Sequence, residues 1–215
     1  MGAVGLLYVG AVLFVNGLML LGRVDGRAAA ALNLFVGTLQ VVTPTVLIIQ
    51  AGADMSAILG ASGIYLFGFT YLYVGIGLLA DLDPTGVGWF CLFVALVALV
   101  YASTSAYDLR DYPFAVIWTY WSFLWLLFFL VLGLGMESLT RFTGWVTVIE
   151  AWVTGVLPSF LLLTGRYEPS TGFALTLAVF GVVVFAALWF LLGSPGLTRA
   201  SGPPNQPVPA GDAAR

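Results

Sequence analysis

All but one of the charge-bearing side chains fall outside the long apolar runs, and that spacing excludes nearly every water-soluble fold. Seven stretches meet the length of a membrane span: residues 4–21, 29–51, 57–80, 87–105, 112–136, 144–164 and 173–192. A spanning helix needs about 20 apolar residues at a rise of about 1.5 Å each. Residues 22–28, 81–86, 106–111, 137–143 and 165–172 hold most of the charges. Connectors this short make consecutive helices antiparallel neighbours. Only 8% of the 215 residues are charged, against about 25% in a typical soluble domain. The first run lacks a basic leader and a convincing cleavage site, so it reads as a span and not as a signal peptide.

Several chemistries lack their residues. The chain has no histidine, which removes the main ligand of b-type haem and of ordinary zinc sites, and the usual pH sensor. All seven basic residues are arginines, so a lysine Schiff base cannot form. The single cysteine, Cys91, lies inside an apolar run and indicates neither a disulfide nor a thiolate metal site. Ten carboxylates against seven arginines leave no basic patch for nucleic acid. There is no Gly-rich phosphate loop, and no catalytic triad is plausible without histidine. The expectation is a non-enzyme without metal or cofactor, with membrane lipids as its surroundings.

Arginine placement sets the expected orientation. Arg23, Arg27, Arg141, Arg199 and Arg215 fall on one side of a seven-span topology, and Arg110 and Arg166 on the other. Five against two puts the N-terminus outside and the C-terminus in the cytoplasm. Residues 194–215 are rich in Pro and Gly with little to bury, and are expected to be disordered.

The spans also repeat. With Leu34, Leu92 and Val148 in register, the even-numbered runs align without gaps. Phe35, Phe93 and Ile149 follow, then Val36, Val94 and Glu150, and nine residues beyond those, Thr45, Ser103 and Ser159. The odd-numbered runs allow a similar register through Leu13, Phe69 and Trp125. Either apolar runs agree by chance, or three helical hairpins surround a pseudo-threefold axis, with the seventh run peripheral.

Glu150 is the one Asp, Glu or Arg well inside an apolar run. Burying a carboxylate in lipid is costly, so such a residue is a functional candidate by default. The alternative is a protonated Glu bonded to a backbone carbonyl or to Asn16. In the fifth run, Trp118, Trp121 and Trp125 share a helix face. They are membrane-interface anchors or packing, or the flat walls of a narrow slot. Leu6, Val9, Leu13 and Asn16 share a face of the first run, and Phe69 and Tyr73 lie one turn apart in the third. Taken together these residues would line a narrow, mostly apolar passage with a few polar points. Such a passage suits a small neutral solute, because a cation would lose hydration without replacement ligands.

At these residues the sequence resembles the AmiS/UreI family of urea and amide channels. The carrying segments are LLYVGAVLFVNG (6–17), NLFVG (33–37), LFGFTYLY (66–73), AVIWTYWSFLW (115–125) and WVTVIEAWVTGVLP (145–158). The resemblance implies an all-α bundle of three two-helix repeats over residues 1–165, with a seventh helix at 173–193 and the tail at 194–215 as additions. It further implies a pore in each protomer of a hexamer in a bacterial inner membrane, with urea and short-chain amides as permeants. The family's pore positions then fall on Leu6, Val9, Leu13, Phe69, Tyr73, Trp118, Trp121, Leu124 and Trp125, and its buried polar positions on Asn16 and Glu150. The chain departs from the acid-gated urea channel in having a short link at residues 52–56 where that channel has a long histidine-rich loop. Acid gating of that kind is therefore not expected, and the pattern is nearer the amide-transport branch.

Overall fold

The computed structural model describes residues 2–192. The expected loose tail, with Arg199 and Arg215, lies outside the described residues. Among the described residues every element is helical, and seven are long and apolar enough to span a membrane. They are α1 (Gly2–Leu20), α2 (Gly26–Ala51), α3 (Met55–Ala80), α4 (Thr85–Tyr107), α5 (Tyr112–Gly133), α6 (Glu137–Leu163) and α7 (Thr171–Leu191).

The helix starts are written in short polar side chains. Asp25 accepts from the Arg27 amide at the head of α2, and Asp54 accepts from the Ser56 and Ala57 amides at the head of α3. Asp111 and Ser170 accept from Phe114 and Phe173 at the starts of α5 and α7. Each bond satisfies an amide that the first helical turn leaves free. One boundary departs from the sequence expectation: residues 137–143 are not a connector. A 3-10 turn at Glu137–Leu139 runs straight into the helix of α6, and Leu139 and Phe142 are buried there. Charged Glu137 and Arg141 occupy the outward side of this first stretch, which made it read as loop.

The first six helices form three closely packed pairs, α2 with α3, α4 with α5, and α6 with α1. In lipid, close packing replaces the hydrophobic drive between helices, so small residues mark the crossings. A Cβ on Gly10 would meet the Ala151 carbonyl at 2.8 Å, and one on Gly155 would meet the Gly10 Cα at 2.7 Å. A Cβ on Gly88 would overlap the Gly133 backbone, and one on Gly37 would meet the Leu72 amide at 2.8 Å. Each pair thus contains a contact that only glycine permits. The close pairs join each expected hairpin to the next and not the two helices within it, and the ring closes because α6 packs on α1.

The repeat register holds for the even helices well past Glu150. Asn33, Cys91 and Thr147 are all buried, as are Val36, Val94 and Glu150. Gln40, Ala98 and Thr154 are buried together, as are Pro44, Ala102 and Pro158, and a mismatch shows at the last hydroxyl position. Ala151–Val156 is a π-helical segment, whose wider turn takes up more residues than an α turn. Thr45 and Ser103 are exposed, whereas Ser159, beyond the π-helical segment, is buried and its neighbour Phe160 is exposed. In the odd helices the proposed equivalence fails at once. Leu13 and Trp125 are 5% exposed, but Phe69 is 49% exposed.

The seventh helix lies against α5 and the start of α6. The Tyr120 hydroxyl donates to the Leu177 carbonyl at 2.8 Å. Phe185 stacks on Phe123, and Trp189 meets Phe142 edge-on. Its other side, including Val182, Phe190 and Leu191, is exposed and apolar apart from Thr171 and Thr176.

Candidate permeation path

Two cavities lie between the helices of the six-helix ring. The larger, about 320 Å³, reaches the end of the bundle that holds the N-terminus and the α4–α5 connector. Its walls include Leu6, Val9, Gln40, Tyr101, Ser105, Asp111 and Trp118. The smaller, about 70 Å³, lies toward the opposite end, between Leu13, Asn16, Thr70, Tyr71, Leu124 and Trp125. Phe67 and Trp121 border both. They are the partition between the two spaces.

That partition is an aromatic cluster with fixed members. The Phe67 ring lies 4.7 Å from Trp121 and 4.7 Å from Trp125, both edge-on, and 6.0 Å from Trp118. Edge-to-face pairs at such spacings are favoured by the ring quadrupoles. Trp121 is further held by its indole N–H, which donates to Thr154 Oγ1 at 2.9 Å. Thr154 in turn donates to the Glu150 carbonyl at 2.7 Å. The π-helical turn of α6 therefore places the acceptor that orients the central tryptophan. Trp118 stacks on Tyr101 at 4.7 Å, and Tyr101 shares a hydrogen bond with Ser62.

Polar groups on the walls are few and mostly committed. Asn16 and Asn33 exchange two side-chain hydrogen bonds, at 2.9 and 2.7 Å, and tie α1 to α2 beside the smaller cavity. Gln40 Nε2 donates to the Gly5 carbonyl at 2.6 Å beside the larger one. At the mouth of the larger cavity the Tyr167 hydroxyl donates to the Asp111 carboxylate. Burial, helped by that carboxylate, raises the Tyr167 phenol well above its ordinary range. Among the described residues Asp111 is the only charged one on either wall. A dehydrated cation would find few oxygen ligands in the middle of the path, while a neutral solute needs none.

Most residues singled out in the sequence converge here. Leu6, Val9 and Trp118 line the larger cavity, Leu13, Asn16, Leu124 and Trp125 the smaller, and Trp121 both. Phe69 and Tyr73 do not. They are 49% and 37% exposed, on the outer side of α3, and border neither cavity. The inner side of that helix carries Phe67, Thr70, Tyr71 and Val74 instead. Within the LFGFTYLY segment the aromatics that border the cavities sit two residues before the expected ones.

Glu150 also differs from its expected place. It is fully buried yet lies on neither cavity wall, and among the described residues its carboxyl oxygens have no hydrogen-bond partner. The alternative bond to Asn16 is not made, because Asn16 is committed to Asn33. The hydroxyls of Tyr71 and Thr143 are likewise buried without a partner among the described residues. Gln40, Tyr101 and Thr154 went unnoticed in the sequence. Gln40 carried a signal, since it is an amide midway along an apolar run, as Asn16 is.

A seven-helix apolar bundle enclosing two cavities across an aromatic partition defines a multi-pass membrane transport protein. The chain belongs to the AmiS/UreI family of transporters, whose profile matches residues 1–166. It is 55% identical to AmiS2 of Rhodococcus erythropolis, which carries a transporter name, over 97% of this chain and 99% of that one. It is 50% identical to a Mycolicibacterium smegmatis protein named for the transport of amidate substrates, over 100% of this chain and 99% of that one. The crystal structure of the Helicobacter pylori urea channel superposes with a TM-score of 0.71 at 34% identity. That match covers 78% of this chain and 100% of the urea channel.

Proposed function

We propose that the protein is a passive channel for short-chain amides and urea that is not gated by acid. The carrying observation is the pair of cavities meeting at Phe67 and Trp121. A partition of flat, uncharged rings admits a planar neutral solute and offers an ion nothing to replace its water. The names of the two relatives concern transport, one of them of amidate substrates, and the superposable structure is a urea channel. A planar carbonyl flanked by NH₂ is common to urea and simple amides, so one slot serves both. Nothing in this chemistry calls for catalysis.

The six-helix core, residues 1–165, would carry the path, with α7 added at the periphery. Arginine bias supports a bacterial inner-membrane location with the N-terminus outside and the C-terminus in the cytoplasm. Family membership supports a homohexamer with one pore per protomer. The absence of histidine from the chain removes the ordinary side-chain sensor of mild acid.

Stopped-flow light scattering on proteoliposomes tests the proposal with urea, formamide, acetamide and propionamide. All but the bulkiest should cross faster than in protein-free vesicles, with rates falling as the acyl group grows. Rates equal to those of empty vesicles for all four would refute it. A second reading, a proton-coupled amide transporter, draws on the buried carboxyl of Glu150. It predicts accumulation against a gradient, which a channel cannot produce.

A further inference from the structure

Gln40 is 2% exposed, yet it borders the larger cavity. Its side-chain amide is oriented by a neighbour. The Gly5 carbonyl can only accept, so the Gln40 NH₂ end must face it, and does so at 2.6 Å. The oxygen end has no hydrogen-bond donor among the described residues, and it is not one of the sealed, unpartnered polar atoms of the interior. It is therefore an acceptor presented to the cavity. Gly5 makes this placement possible, because a Cβ there would come within 3.1 Å of both ends of the Gln40 amide. Ser105, 4% exposed, lines the same cavity and likewise carries no intramolecular side-chain bond among the described residues.

We propose that Gln40 Oε1 forms an amide-binding station in the larger cavity, where it accepts a hydrogen bond from the NH₂ group of a permeant before the aromatic partition. This rests on the amide and urea channel described above. An oxygen acceptor fixed in an otherwise apolar wall selects solutes that bring an N–H donor. A carbonyl solute without N–H leaves that oxygen unpaired, and the loss of one such bond is worth about twofold to tenfold in occupancy. The bond must also stay weak, because tight binding would slow exit. Ser105 would supply the complementary hydroxyl donor for the permeant carbonyl.

The test is equilibrium exchange of labelled acetamide in proteoliposomes across a concentration series. Gln40→Met keeps the side-chain length and removes the acceptor. It should raise the half-saturation concentration about threefold to tenfold, with the maximal exchange rate changing little. An unchanged half-saturation concentration, or a fall in maximal rate alone, would overturn the station and leave Gln40 a packing residue. A wild-type arm does not depend on the variant folding. N-methylacetamide should compete with labelled acetamide, and N,N-dimethylacetamide, which has no N–H, should not. Equal competition by the two would overturn the proposal. Absence of any acetamide exchange in the wild type would instead count against the channel itself.

Discussion

At the scale of single residues, two aromatics in one segment have opposite surroundings. Phe67 touches three tryptophans and borders both cavities, while Phe69, two residues on, faces outward and stacks on Tyr65. Truncating them should separate function from packing. Phe67→Ala opens the partition, so propionamide permeability should rise relative to urea by about threefold or more, as selectivity in narrow pores follows diameter. Phe69→Ala should leave the solute profile unchanged. The same light-scattering series reads both variants, and a profile that shifts with Phe69 and not with Phe67 would put the path on the other side of α3. Thr154 belongs to this scale too. Without its oxygen the Trp121 indole N–H would be buried and unpaired, at a cost of about 1–3 kcal/mol.

At the scale of elements, the helix pairs depend on glycine contacts that leave no room for adjustment. Gly88→Val would force α4 from the Gly133 backbone of α5, and overpacking of this kind costs about 1–3 kcal/mol. Thermal unfolding in detergent should show a midpoint several degrees below wild type, since about 1 kcal/mol moves the midpoint by about 2–4 °C at this size. The equivalent change at Gly77, where a Cβ meets nothing, should be nearly silent. The number of helices was legible in the sequence because length and apolarity alone decide it. The inward face of α3 was not. In water a helix advertises its buried side by contrast with a polar one, but α3 is apolar on both sides, and Phe67, Phe69, Tyr71 and Tyr73 place aromatics on each. The tryptophan face of α5 was readable because its three indoles fall on one stripe and all are buried. The mismatch at Ser159 was hidden for another reason. A π turn is a backbone event with no residue type that announces it, so a gapless alignment runs through it unbroken.

At the scale of the whole molecule, the account is of a ring of three helix pairs around a neutral path, with charge kept to its ends. The groups whose ionisation the fold shifts at those ends do not titrate in the physiological range. The Thr85 backbone amide donates to Asp83 and holds its carboxyl below the usual carboxylate range. A depressed carboxylate contributes stability above its unfolded value and loses it only as pH falls through the lower, folded one. Tyr167 moves the other way. Its contribution is complete below the unfolded value near 10.0 and is lost as pH rises further toward the folded one. Neither crosses pH 5–8, and a passive channel without histidine should show acetamide permeability varying by less than about twofold between pH 5 and pH 8. A steep rise on acidification would reveal a gate that histidine does not supply. The most direct measurement of the central claim is acetamide entry into proteoliposomes with and without an imposed proton gradient. The account predicts entry faster than in protein-free vesicles, the same initial rate in both conditions, and arrest at equal concentrations inside and out. Accumulation above the external concentration when the gradient is present, or entry no faster than through lipid alone, would contradict it.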